Sequence, residues 1–388
     1  MAVPLAYNIR SLIERKTVSI MTALGLALTV AVLLSVLALL EGLRFTLRAS
    51  GDPSNVIVLR KGATTELISN LDRSTYNDLK FHTGIARDPS GVPEASLELV
   101  TVINLESPEH PEGMNVNLRG VSPMGIKLRR GITIQSGRWF RPGYREMVVG
   151  RSIAARYPRA GIGGSVRFGR GDWQIVGVMA AGDSAINSEI FSDLNQLAAD
   201  GNREELLSSV LVRATDPIVK TALIHDLSED QRLNVDAVAQ TDYYDRQASS
   251  SAPVLFVGTL VALIMSVGSS FAAMNTMYAA VSRRSSEIGT LRVLGFTKGE
   301  ILLSFLAESL ALALLGGLIG CLLTLPLNNI TSGIGSFTTF SETTFRFRVT
   351  PVIMGAGMLF SVFMGALGGV FPASDAARKE ILVALRAI

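Results

Sequence analysis

The sequence predicts a membrane-embedded bundle of four transmembrane helices carrying one large extracytoplasmic α+β domain. Three observations predict it. Four apolar runs each reach the ~20 residues that a helix needs to cross a bilayer. The long segment between the first two runs, about 44–251, is mixed in polarity and holds most of the strand-like alternation. Of 388 residues, 48% are hydrophobic and only 18% charged, short of the ~25% charge usual in soluble domains.

The first run, 18–40, contains no charge and follows Arg10, Arg15 and Lys16. A signal peptide begins similarly, but its apolar core is only ~7–15 residues and ends at a small-x-small site, so this run is expected to be an uncleaved anchor. The second run, 252–281, is uncharged, the third spans about 300–330 with Glu308 as its interior acid, and the fourth covers 350–371. Basic residues gather before the first run, between the second and third (Arg283, Arg284, Arg292, Lys298) and after the fourth (Arg378, Lys379, Arg386). The positive-inside rule then places both termini in the cytoplasm and segment 44–251 outside. The expected units are a cytoplasmic amphipathic helix (1–17), the first span with a stalk (18–48) and a core domain (49–240). A second stalk and span (241–281), an inner loop (282–299) and the third span (300–330) follow. An external loop (331–349), the fourth span (350–372) and a C-terminal helix (373–388) complete the chain.

Within the outer segment, 55–60 (NVIVLR), 96–105, 209–213 and 233–238 read as strands, and 65–80 and 217–227 as helices. Two strand–helix–strand stretches flanking a long insertion imply a ferredoxin-like layer. The insertion, about 115–190, has short strands (115–121, 146–150, 165–169, 173–179) and many turns, as expected of a β-rich subdomain.

On the inner face, Leu5, Ile9, Leu12 and Ile13 share one side of an amphipathic helix suited to the membrane interface. The loop 282–309 predicts a short helix. Ser285 or Ser286 caps it, Glu287 suits its positive end, and Gly295 ends it in a left-handed conformation. Thr297 and Glu300 then form a capping box that starts the third span. Glu308 lies about two turns into that span. A charge there is costly, and with no second acid or histidine in another span to form a proton relay, the expected role is pairing with a loop arginine or capping a neighbouring helix. Gly258, Ser266, Gly268, Ser269, Ser270 and Ala272 give the second span a small-residue face, which suits close packing either across a dimer or within one subunit.

Several chemistries find no support. Net charge is +3, too small for a broad nucleic-acid footprint. The one cysteine, Cys321, lies in an apolar run, and His82, His110 and His225 have no metal-ligand spacing. Gly161, Gly163 and Gly164 lack the Lys-Ser/Thr ending of a phosphate loop and read as a turn. No nucleophile–base–acid arrangement stands out.

The inner loop carries a resemblance. Arg284, Glu287, Ile288, Gly289, Leu291, Arg292, Leu294 and Gly295, followed by Phe305–Leu306–Ala307–Glu308, resemble the R-x-x-E-I-G-x-L-R-A-L-G and F-L-x-E signature of FtsX-like permeases, with Val293 in the place of the commoner alanine. Residues 372–386 resemble that family's P-A-x-x-A-A-R…A-L-R ending. Residues 136–140, 146–150 and 173–178 are similar to the periplasmic core of MacB-like transporters. The resemblance implies an ABC transporter permease of the MacB-like (type VII) class, in the inner membrane, with its large domain periplasmic and no substrate passing through the bundle. It implies that Arg284, Glu287, Ile288, Leu291, Arg292, Leu294 and Gly295 couple to an ATPase, and that Glu308 is a structural or coupling group within the membrane. No catalytic, cofactor or metal residues are implied; ATP and Mg belong to a partner ATPase, expected as a separate chain. The other implied partners are a second permease copy, the lipid bilayer and, for export, a periplasmic adaptor and an outer-membrane channel. Cargo would be a peptide, a lipid or lipoprotein, or a hydrophobic small molecule. The alternative is an FtsX-like regulator of a periplasmic cell-wall hydrolase, a branch whose outer domains are usually smaller.

Overall fold

The computed structural model describes residues 16–106, 111–249, 252–335 and 340–378. Residues 1–15 of the expected amphipathic helix (1–17) and residues 379–388 of the expected C-terminal helix (373–388) lie outside the described residues. The described chain divides into two compact units, one comprising the segments up to Glu41, Ala252–Ile330 and from Phe347 onward, the other Gly42–Ser251 with Thr331–Arg346.

The first unit is helical. Its four long helices are α1 (Lys16–Arg48), α8 (Ala252–Arg283), α10 (Lys298–Thr324) and α11 (Pro351–Arg378), each apolar and long enough to cross a membrane. A short helix, α9 (Ser285–Val293), links α8 to α10. Glycines set how close the helices come. A Cβ on Gly316 or Gly320 of α10 would fall 2.9 Å from the Ala23 carbonyl oxygen and 2.8 Å from that of Ala27 on α1. Gly365 and Gly369 of α11 lie against Ser309 and Ala313 of α10. Ser309 donates to the Gly365 carbonyl at 2.6 Å, and Ser361 to that of Ala313 at 2.5 Å. Small residues of this kind let backbones approach closely where lipid supplies no hydrophobic drive between helices. Leu26, Val30, Leu34, Ala313, Cys321 and Met364 fill the seam. The small-residue face of α8 is partly used within the subunit: Gly258 meets Val36, Ser269 bonds Thr29, and Ser266 and Ser270 are buried, while Gly268 and Ala272 stay open. α11 runs on through Pro372, so the fourth span and the start of the expected C-terminal helix form one helix; Pro372 is buried with Ala373, Ala376 and Ala377.

The second unit is built on a mixed sheet. Its strands are β1 (Asn55–Arg60), β3 (Ala95–Leu105), β4 (Met114–Val121), β5 (Thr133–Gly137), β6 (Glu146–Gly150), β7 (Ser165–Phe168), β8 (Gly171–Ala180), β9 (Glu189–Asp193), β11 (Ser209–Arg213) and β12 (Val235–Ala239). They lie in the order β12-β1-β11-β3-β4-β9-β6-β8-β5, with β7 on β8. The strands of the two strand–helix–strand stretches, β12-β1-β11-β3, are antiparallel throughout. The insertion does not form a sheet of its own. The long strand β3 joins it, pairing with β11 through 95–98 and with β4 through 99–105. The helices include α2 (Arg73–Leu79), α4 (Arg151–Arg156), α6 (Pro217–Glu229) and α7 (Gln240–Ser249).

Three expectations need correction here. The helix foreseen at 65–80 forms only as α2. Its first half is drawn elsewhere: Glu66 enters a buried ion cluster, Ser69 accepts from the Arg60 amide, and Leu71–Asp72 (β2) pairs with Leu206–Leu207 (β10). The second stalk, expected to begin at 241, begins at Gln240 as α7. The external loop at 331–349 is not merely a loop. It forms a hairpin, β13 (Thr331–Gly335) with β14 (Glu342–Arg346), belonging to the outer unit.

The ion cluster sits at the core of this unit. Arg119 on β4 binds Glu66 (2.7 Å), Glu98 (2.8 Å) and Glu189 (2.9 Å), and Arg129 binds Glu98 (2.6 Å), all buried. Burial raises the Glu66 carboxyl, but the Arg119 guanidinium, with a Ser209 hydroxyl, outweighs it and holds that carboxyl below its usual value. Burial pushes the phenols of Tyr243 and Tyr244 on α7 upward, and Tyr243 accepts from the Glu66 amide at 3.2 Å.

Candidate functional site

The site is the corner made by the end of α8, the short α9 and the start of α10. The chain turns twice within about fifteen residues, and local signals fix both turns. The Thr297 hydroxyl accepts from the Glu300 amide while Glu300 reaches back to the Thr297 amide, completing the expected capping box at the head of α10. Gly295 has φ +97°. Its amide donates to the Arg292 carbonyl at 3.2 Å and that of Phe296 to the Leu291 carbonyl at 3.1 Å, the paired bonds of a Schellman ending. At the other end the foreseen serine cap is absent: Arg284 occupies the cap position and no side chain caps the helix.

Arg284 is buried, 6% exposed, and it gathers the corner. Its Nη1 donates to the Glu308 carboxylate of α10 at 3.2 Å and its Nε to Glu287 of α9 at 3.1 Å. Its guanidinium lies over the Phe305 ring, 5.6 Å from the centroid. Glu308 is 4% exposed, so a carboxylate inside an apolar helix has its counter-ion beside it, as the cost of burying a lone charge requires. Ile288 is buried with Met277 and Val281 of α8, Ile301 and Phe305 of α10, and Ala373, Ala376 and Ala377 of α11. All four elements are thereby knitted at one end.

Apart from Arg284, Ile288 and Glu308, the expected residues reach the surface in part or in full. Glu287, Leu294 and Gly295 are exposed, and Leu291 and Arg292 half-buried. Arg292 donates through Nη1 to the Phe296 carbonyl at 3.3 Å, while its Nε is buried without a partner. The structure therefore splits the expected set: Arg284, Glu287, Ile288 and Glu308 fasten the corner, and the others form its outer rim. Sequence reading missed Phe305 as the ring beneath Arg284. It also took Val293 only as a replacement for the commoner alanine, whereas Val293 (62% exposed) and Leu294 (71%) together present an apolar tip on α9. Two adjacent exposed apolar residues ahead of a helix-ending glycine were the signal for it. Among the described residues no group of acids, histidines or cysteines could hold a metal ion.

Comparison with known proteins places this geometry. Residues 19–229 match the MacB-like periplasmic core domain, and residues 259–381 the FtsX-like permease C-terminal domain. The chain is 26% identical to the uncharacterized ABC transporter permease YknZ of Bacillus subtilis, over 97% of this chain and 96% of that one. It is 25% identical to the macrolide export ATP-binding/permease protein MacB of Bdellovibrio bacteriovorus, over 97% of this chain and 60% of that protein. Among solved structures, the periplasmic region of MacB from Actinobacillus actinomycetemcomitans aligns with 52% of this chain and 94% of its own length, at 14% identity and a TM-score of 0.38. With one family model covering the outer unit and another the bundle and its corner, the chain belongs to the MacB-like, FtsX-like family of ABC transporter permeases.

Proposed function

We propose that this chain is the permease subunit of an ATP-binding-cassette complex that converts ATP-driven motion at its inner face into movement of its outer domain. The α8–α9–α10 corner carries the reading. A short helix with an exposed apolar tip, fastened through a buried Arg284–Glu308 pair to two long apolar helices, moves those helices when something pushes on the tip. That something is a partner ATPase, which binds ATP and Mg; nucleotide chemistry resides there. Both termini lie in the cytoplasm, the bundle in the inner membrane and the outer unit in the periplasm. Two copies of the permease work as a pair. The outer layer β12-β1-β11-β3 is read as ferredoxin-like, of the porter type. The similarity to MacB supports export or extraction of a peptide, a lipid or lipoprotein, or a hydrophobic small molecule, with an adaptor and an outer-membrane channel as further partners.

The test is at the tip. Val293→Asp with Leu294→Asp places charge on exposed positions and leaves the buried corner alone, so thermal unfolding in detergent is expected to stay unchanged. Co-purification with the partner ATPase should fall at least about tenfold, the effect of losing one good contact. Undiminished co-purification would sink the reading. A second reading, favoured by the FtsX-like match over 259–381, is a regulator of a periplasmic cell-wall hydrolase. Capture of a hydrolase by the full-length protein supports it; capture of an adaptor or an outer-membrane channel supports export.

A further inference from the structure

The β13–β14 hairpin connects α10 to α11, yet it folds into the outer unit. Its attachment there is built, not incidental. Glu342 at the start of β14 is buried, and each carboxylate oxygen has a partner: Oε1 binds Arg156, and Oε2 accepts from the Tyr157 hydroxyl at 2.8 Å. Two residues along, the Thr344 hydroxyl contacts that of Ser188, and the Thr344 amide donates to the same Ser188 oxygen at 2.9 Å. Arg156 ends α4, which follows directly on β6 in the interior of the sheet; Ser188 closes the short 3-10 turn (Ala185–Ser188) that leads into β9. Gly333, opposite on β13, leaves the space: any Cβ there would fall on the Glu342 carboxylate and the Arg156 guanidinium. At the hairpin's other end the Arg346 carbonyl sits so close to Gly42 that no side chain fits at that position of α1.

We infer that this hairpin is a permanently docked strut through which the third and fourth spans act on the inserted strands of the outer unit, with Glu342 as the positioning residue that keeps it docked. This rests on the proposed transmission of motion and changes its route. The outer unit is connected to the bundle at four chain crossings, after Glu41, Ser251, Ile330 and Arg346. Two of them enter beside β1 and β12. The other two enter through the hairpin, and without the catch they would carry no load, because a two-stranded ribbon alone is marginally stable. A buried carboxylate with a charge-assisted bond on one oxygen and a hydroxyl bond on the other resists displacement, since undocking breaks both bonds at once.

The experiment uses the full-length chain with Cys321→Ala, Ser188→Cys and Thr344→Cys. The two hydroxyls touch, so the replacing thiols lie within disulfide reach. In this parent a disulfide is expected to form rapidly. Glu342→Gln, or Arg156→Met should the first variant not fold, is expected to slow its formation about tenfold, the loss of one bond to a charged group. In the complex reconstituted with its ATPase, ATP should alter amide hydrogen exchange in β6 and β8 of the parent. Glu342→Gln should abolish that change, and oxidation to the Ser188→Cys/Thr344→Cys disulfide should restore it. Restoration by a cross-link is something a merely destabilised domain would not show. Equal cross-linking rates with and without Glu342 overturn the inference, as does an ATP response that survives Glu342→Gln or is not restored by the cross-link. If the parent itself gives no ATP response, the transmission reading fails, and the cross-linking rates alone decide whether Glu342 holds the hairpin.

Discussion

Arg284 and its neighbour Arg283 show how narrowly a single position decides a role. Both are basic and adjacent, yet Arg283, the last residue of α8, is exposed, and Arg284, where the chain leaves that helix to start α9, is buried. Sequence reading foresaw a loop arginine as partner for Glu308 and had no means of choosing among Arg283, Arg284 and Arg292; the choice came from Arg284 being buried at the corner within bonding distance of Glu308. Removing one partner of a buried pair costs about 3–5 kcal/mol, toward the low end where the remaining group keeps another contact, as Arg284 keeps Glu287. Arg284→Met alone and Glu308→Gln alone are therefore each expected to lower stability by about 3 kcal/mol. Arg284→Met with Glu308→Leu should cost clearly less than their sum, because the bond between the two is then lost only once. A double-mutant cycle in detergent measures this, and simple additivity would refute the pairing.

At the scale of elements, the glycines of α10 separate two jobs of one residue type. Gly320 abuts the backbone of α1, where a Cβ would lie 2.8 Å from the Ala27 carbonyl oxygen, while Gly299 in the first turn has nothing within 4 Å. Gly320→Ala is expected to force α10 away from α1 and lower the unfolding temperature. Gly299→Ala should be neutral or gain up to about 1 kcal/mol of helix propensity. Thermal unfolding of both variants in detergent checks the contrast, and equal effects would contradict the packing described. The four spans, α9 and most strands were legible because periodicity and caps are written locally. The missing half of the 65–80 helix was not. Glu66 leaves the helical pattern because Arg119, 53 residues away, needs a carboxylate in the core, and no window of the local sequence contains that demand.

At the scale of the whole molecule, the outer unit carries carboxylates whose charge the fold protects. Hydrogen bonds from Arg138, then from Arg141, hold the Glu146 carboxyl at about 2 against burial that would raise it, where 4.5 is ordinary. A folded-state value below the unfolded one contributes stability that is fully present above about 4.5 and is lost as pH falls toward 2. The full chain is therefore expected to lose thermal stability between pH 5 and about 2.5. Glu146→Gln should be less stable at pH 7 and show a shallower fall; an identical pH profile in the variant would rule Glu146 out as a source. The sequence by itself determined the four spans, the capped corner at 284–300 and the strand content of the outer unit, since each depends on residues within one or two turns or one strand. Only the tertiary structure decided that β3 joins the insertion to the first strands, that Arg284 answers Glu308, and that the loop between the third and fourth spans grips the outer unit at Glu342. Each of these pairs groups that are distant along the chain, up to 186 residues for Arg156 and Glu342, and such pairings arise from how whole elements pack, which no local pattern encodes.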